Sequence, residues 1–193
     1  MKLADDVSWE VKTGATIAIG NLRDIIPENL RLNIIKKIIN MSEDSDWSIR
    51  SFASMAFGNM KPIIPDGMKD EISGNVMRLY RDRDETVREA AAFSVEKLKD
   101  IISEDVKNDN LNKILALSEE DMNLTIVLIG NSDIIPAGRE IEVLSFLLKS
   151  SDNPDWIIRH STAASLGNLA KTVPSNMKTA VIEAVMKLSK DST

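Results

Sequence analysis

Apolar residues recur along this chain at intervals of three and four, the spacing that places side chains on one face of an α-helix. Leu30, Ile34 and Ile38 mark one such face, and Met68, Ile72, Val76 and Leu79 mark another. Each of these amphipathic stretches follows a short phrase: Ile25-Ile26-Pro27, Ile63-Ile64-Pro65, Ile101-Ile102-Ser103, Ile134-Ile135-Pro136 and Thr172-Val173-Pro174. Proline is preorganised for a first helical turn, where its missing N–H is not needed. The pattern therefore predicts helices over about 27–42, 65–81, 103–118, 136–150 and 174–189.

A second kind of helix alternates with the first. It opens at a Trp or an acidic residue and runs to a Gly-Asn pair: Trp9 to Gly20-Asn21, Trp47 to Gly58-Asn59, Glu119 to Gly130-Asn131 and Trp156 to Gly167-Asn168. A further copy, from Glu85, has Glu96-Lys97 in place of Gly-Asn. This set is predicted over about 8–23, 46–60, 84–99, 120–132 and 154–171, with Ser8, Asp46, Asp84 and Asp155 as N-caps. The Ile-Ile-Pro phrases are offset by 38, 38, 33 and 38 residues. A fixed period in this range is the mark of stacked helical hairpins that cannot bury their apolar faces alone. The expected fold is all-α, a right-handed αα superhelix of about five hairpins, forming a single repeat domain over residues 1–193.

Three helices of the second kind carry a turn Asp followed by a Val-Arg or Ile-Arg pair, with Ala-rich or Leu-Gly continuations. They read Asp44 with Ile49-Arg50, Asp82 with Val87-Arg88-Glu89-Ala90-Ala91-Ala92, and Asp152 with Ile158-Arg159 and Leu166-Gly167. On these residues the chain resembles the HEAT repeats over nearly its whole length. The resemblance implies a ladder in which the Asp and the basic residue tie successive repeats together. Asp44 to Arg50 and Asp82 to Arg88 are each six apart, Asp6 to Lys12 repeats the spacing with Lys, and Asp152 to Arg159 is one longer. The fourth repeat departs: Met122 stands where the Arg belongs, among Glu119, Glu120, Asp121 and Asn123, and the unit is shortened. That departure reads either as a change of local curvature or as an acidic patch for a basic partner. Ala15, Ala53 and Ala91 recur where a neighbouring helix should press closely, and Trp9, Trp47 and Trp156 read as packing between repeats or as aromatic contacts.

In HEAT arrays the helix carrying the Val-Arg signature lines the concave side, so its outward positions are the candidate site. Eight residues after each helix start stand Ile17, Met55, Phe93, Val127 and Ala164, and one turn further stand Asn21, Asn59, Lys97, Asn131 and Asn168. An apolar row beside an Asn row is similar to the armadillo repeats, where the Asn grips the main chain of an extended peptide. An amide offers both a donor and an acceptor, and so can bond a peptide group without reading its side chain. The competing reading is local, since Asn directly after Gly near a helix end also serves the turn.

Composition narrows the function. There are 24 basic and 30 acidic residues and no basic block, which argues against general binding to nucleic acid or anionic membrane. The chain has no Cys and a single His, His160, so thiol chemistry and paired His–Glu metal sites are not assembled. No stretch approaches the roughly 18 apolar residues of a spanning helix, and the acidic start, Met1 to Asp6, lacks the apolar run of a signal peptide. The expectation is a cytoplasmic, non-enzymatic scaffold without cofactor or metal, binding a protein or extended peptide on its concave face, as a monomer or weak homodimer. A nucleic-acid-binding HEAT-like protein and an accessory subunit of an enzyme are the alternatives.

Overall fold

The structure is a computed structural model, describing residues 8–117 and 121–190. Among the described residues it is all-helical, with ten α-helices: α1 (Trp9–Asn21), α2 (Glu28–Met41), α3 (Trp47–Asn59), α4 (Lys69–Tyr80), α5 (Glu85–Leu98), α6 (Glu104–Leu115), α7 (Met122–Ile129), α8 (Glu140–Ser150), α9 (Trp156–Asn168) and α10 (Lys178–Leu188). They group into two compact units, residues 1–106 and 107–193.

Capping follows the sequence closely. The side chains of Asp46, Asp84 and Asp155 accept from the backbone N–H of Ser48, Thr86 and Ile157 at 2.8, 2.9 and 2.9 Å, each satisfying a donor that the first helical turn leaves open. Ser8 holds the N-cap position of α1 but makes no side-chain cap, its hydroxyl donating instead to Glu10. The Pro phrase works differently from the expected first turn. A 3-10 turn at Arg23–Ile25, Lys61–Ile63 or Ser132–Ile134 is followed by an extended Ile26, Ile64 or Ile135. That extended backbone is what a following Pro imposes, and it turns Ile26, Ile64 and Ile135 into the core. Pro27 then sits at the N-cap of α2, whereas a 3-10 turn at Asp66–Met68 delays α4 to Lys69. After Pro136, Gly138 adopts φ +83° and holds α8 back to Glu140.

In the first unit α1, α3 and α5 pack against one another far more extensively than α2 does against α4. Small residues allow this. Ala53 and Ala91 are fully buried, while Ala15, in the first helix, is half-buried. The glycine of the Gly-Asn pair receives the next helix: a Cβ on Gly58 would lie 2.9 Å from Ser94 Oγ and 3.1 Å from Ser94 Cα. The Ser94 hydroxyl donates to the Ser54 carbonyl at 2.6 Å, a bond between helices at a point where both backbones are exposed to each other. The second unit repeats the device in the same register, with Gly130 facing Ser165, whose hydroxyl donates to the Ile126 carbonyl at 3.0 Å.

The ladder is built across repeats. Arg50 Nε and Nη2 each donate to Asp82 at 2.8 Å, and Arg50 Nη1 bonds the carbonyls of Asp44 and Ser45 in its own turn at 2.9 Å. The pair is almost entirely buried. Burial opposes ionisation of Asp82, but the Arg50 guanidinium and the Asp84 backbone N–H outweigh it and hold the carboxyl below its usual range. Arg88 and Arg159 hold their own turns in the same way, through the carbonyls of Asp82 and Arg83 and of Asn153 and Pro154. The fifth repeat corrects the sequence register: Asn153, not Asp152, takes the turn position, its amide oxygen accepting from Asp155 N–H at 2.8 Å as Asp44 accepts from Asp46 at 3.0 Å. Asp152 instead pairs with Lys187 at 2.5 Å. Asp6, the Lys12 side chain, Glu119 and Glu120 are not among the described parts of the chain.

Candidate functional site

In the first unit the apolar row is exposed. Ile17 on α1, Met55 on α3 and Phe93 on α5 occupy the same register position of three adjacent helices, and all three stand out to solvent. Their neighbours toward the core, Thr16, Ser54, Ala56 and Ser94, are buried, so these helices turn one large apolar side chain each away from the core. A hollow of about 210 Å³ opens between α1 and α3, lined by Ile17, Gly20 and Asn21 on one side and Phe52, Met55 and Asn59 on the other. Phe52 was not part of the sequence-predicted set; its position three residues before Met55, one turn earlier on the same face, was the available signal.

The polar row divides by unit. The Asn21 and Asn59 side-chain amides make no hydrogen bond with another described residue, and Asn59 packs where a Cβ on Gly20 would lie, 3.6 Å away. Asn21 is exposed and Asn59 half-buried. Lys97 holds the third place: its stem crosses Gly58, with Cδ 3.2 Å from a Cβ built there, and its ammonium lies 4.7 Å from the Phe93 ring centroid. That cation–π contact covers one face of the ring. Glu89 and Glu96, one turn to either side of Phe93, are exposed.

In the second unit Val127 is exposed on α7, and Ala164 and Asn168 are exposed on α9. Asn131 does what the local reading expected: its backbone is extended, and its side chain accepts from Asp133 N–H at 3.0 Å. For this reason α7 ends at Ile129 rather than reaching 132, and it begins late, at Met122. Beside this eight-residue helix lies a cavity of about 480 Å³ lined by Leu115, Leu117, Met122, Thr125 and Phe146. Asn123 accepts from the Ser161 hydroxyl at 2.6 Å.

Other candidates resolve simply. Trp47 and Trp156 are more exposed than packing between repeats requires, and His160 is a solvated helix residue. Among the described residues no group of three or more His, Cys, Asp or Glu side chains is arranged to hold a metal, and no helix is long and apolar enough to cross a membrane.

No family model and no curated protein matches the chain. Solved structures do. A chain from a structural study of microtubule plus-end tracking by XMAP215, CLIP-170 and EB1 aligns with a TM-score of 0.62 at 12% identity, covering 98% of this chain and 88% of that one. Two crystal structures of engineered proteins align with TM-scores of 0.50, at 14% and 16% identity, over 97% and 100% of this chain and 86% and 88% of theirs. At these identities the likeness is one of fold, and the fold is an all-α solenoid of the HEAT-like kind.

Proposed function

We propose that this protein is a non-enzymatic interaction scaffold whose α1–α3–α5 face binds an extended segment of another protein. The observation that carries the reading is the exposure of Ile17, Met55 and Phe93 at one register position on three packed helices. A solvated repeat face has no structural use for three large apolar side chains in line, whereas a ligand groove does. Asn21 and Asn59, each one turn further along, offer uncommitted amides to the main chain of the bound segment. Phe93 and Lys97 close the row, and the Glu89 and Glu96 carboxylates beside them favour a segment that carries a basic residue there. In the second unit Asn131 serves its turn and is not counted among the contact residues. That one structural neighbour comes from a study of protein assemblies at microtubule ends agrees with protein binding as the general class.

The experiment is site-specific photocrosslinking. A photoreactive amino acid at Met55 should capture a discrete protein species from native extract, and the same group at the exposed Lys36 of α2 should not. Capture at Lys36 with none at Met55 would overturn the assignment. Once the segment is in hand, Asn21→Ala with Asn59→Ala should weaken its binding by about 1–3 kcal/mol, from roughly 0.5–1.5 kcal/mol for each net hydrogen bond. The melting temperature should stay unchanged.

A further inference from the structure

The rung that Arg50 and Asp82 make in the first unit is altered at both ends in the second. Met122 stands where the Arg belongs, and Asn153 takes the turn position that Asp82 takes after α4. The two side chains still meet, the Asn153 amide donating to the Met122 sulfur at 3.5 Å across 31 residues, as Arg50 reaches Asp82 across 32. A thioether is a weak acceptor. A forked, buried ion pair has become an uncharged contact that leaves the amide donor poorly satisfied.

The exchange also opens space. Arg50 and Asp82 are almost entirely buried, whereas Met122 and Asn153 are half-buried and line the cavity of about 480 Å³ beside α7. Small-ligand sites occupy roughly 300–1,000 Å³. A cavity of roughly 150 Å³ is enough for benzene, so this one has room for an acyl chain of about eight to ten carbons.

The lining divides by chemistry. Leu115, Leu117, Met122 and Phe146 make apolar walls, while Lys149, Ser150 and Asn153 come from one stretch, the end of α8 and the turn after it. The Ser150 hydroxyl is committed to the Phe146 carbonyl at 2.9 Å. Lys149 is exposed and makes no hydrogen bond or ion pair with another described residue. No Asp or Glu is among the described residues that line the cavity. An ammonium without a counter-ion and an amide held only by sulfur both call for an anionic oxygen, and the walls call for a hydrocarbon chain.

We propose that this cavity, which lies wholly within the second unit, binds a medium-chain carboxylate. The chain packs against Leu115, Leu117 and Phe146, and the carboxylate takes the Lys149 ammonium and the Asn153 amide, which gives up the Met122 sulfur for a charged acceptor.

Isothermal titration calorimetry of the full chain with sodium decanoate, kept below its micelle-forming concentration, tests this. Saturable binding of one decanoate per chain is expected, and hexanoate, with its shorter chain, should bind at least about tenfold more weakly. Decyltrimethylammonium should not compete. With carbon-13 in the methionine methyl groups, decanoate should shift the Met122 resonance and leave Met55 unmoved. Lys149→Met changes an exposed position and should weaken decanoate binding at least about tenfold with wild-type melting. Met122→Arg with Asn153→Asp rebuilds the rung of the first unit and should abolish binding in a chain that keeps its helical circular dichroism. Failure of the wild type to bind decanoate saturably would overturn the proposal. So would equal affinity for decyltrimethylammonium, undiminished binding by Lys149→Met, or a decanoate shift at Met55 with none at Met122.

Discussion

Arg50 and Arg88 carry the same sequence signature and hold their own turns identically, yet only Arg50 forks onto a carboxylate of the next repeat. Arg50→Ala leaves Asp82 buried and unpaired, and should lower stability by about 3 kcal/mol in denaturant unfolding, the range for breaking a buried pair. Arg88→Ala leaves the Arg50–Asp82 pair in place and should cost less, about 1.5 kcal/mol, the lower end for hydrogen bonds made by a charged group. A larger loss for Arg88 than for Arg50 would reverse the assignment of the rung. The pair also fixes a pH dependence. Because Asp82 is held below its ordinary value of about 3.9, its contribution is complete above that pH and is lost as pH falls through the lowered value. Acid unfolding measured below about pH 4 should therefore be less steep in Arg50→Met than in the wild type. The sequence located both members of the rung and the resemblance implied a tie between successive repeats, as Arg50 and Asp82 make, but the six-residue spacing did not say which Asp each Arg meets. Nothing in a linear sequence says whether a guanidinium reaches its own turn or the next, because both lie within the length of its side chain.

The helices themselves were legible because period, Asp caps and Pro phrases agree, and the discrepancies fall where one short-range bond overrides the pattern. Asn131, bonded to Asp133 N–H, shortens α7, and Gly138 delays α8. The Gly of the Gly-Asn pair invites a turn reading, but Gly58 and Gly130 are needed for close helix approach, which shows only when the neighbouring helix is in place. Gly130→Ala puts a Cβ 2.5 Å from Ser165 Oγ and 2.9 Å from Ser165 Cβ, and should destabilise the second unit by about 1–3 kcal/mol through overpacking. Gly167→Ala meets nothing, and it should be neutral or stabilising by about 0.5–1 kcal/mol, since Ala is the better helix former. Thermal melts of the two variants side by side check this contrast. Equal losses would mean that the glycines serve the helix ends instead.

At the scale of the molecule, tight stacking of α1, α3 and α5 aligns residues that are 38 positions apart in sequence into rows a partner can read. The rows were visible in the sequence as register positions. Their exposure was not, because the same spacing would have resulted had neighbouring layers covered Ile17, Met55 and Phe93. Phe93→Ala separates the cases in one protein. As an exposed anchor it should cost affinity for the bound segment with little change in melting, whereas a buried Phe would cost about 3–5 kcal/mol of stability. The most direct measurement is hydrogen exchange read by mass spectrometry, comparing the protein alone with the protein bound to the segment captured at Met55. Protection concentrated in residues 16–21, 52–59 and 93–97, with α2 and α4 exchanging as in the free protein, is the predicted result. Protection confined to α2 and α4, with those three stretches unchanged, would contradict the assignment of the binding face.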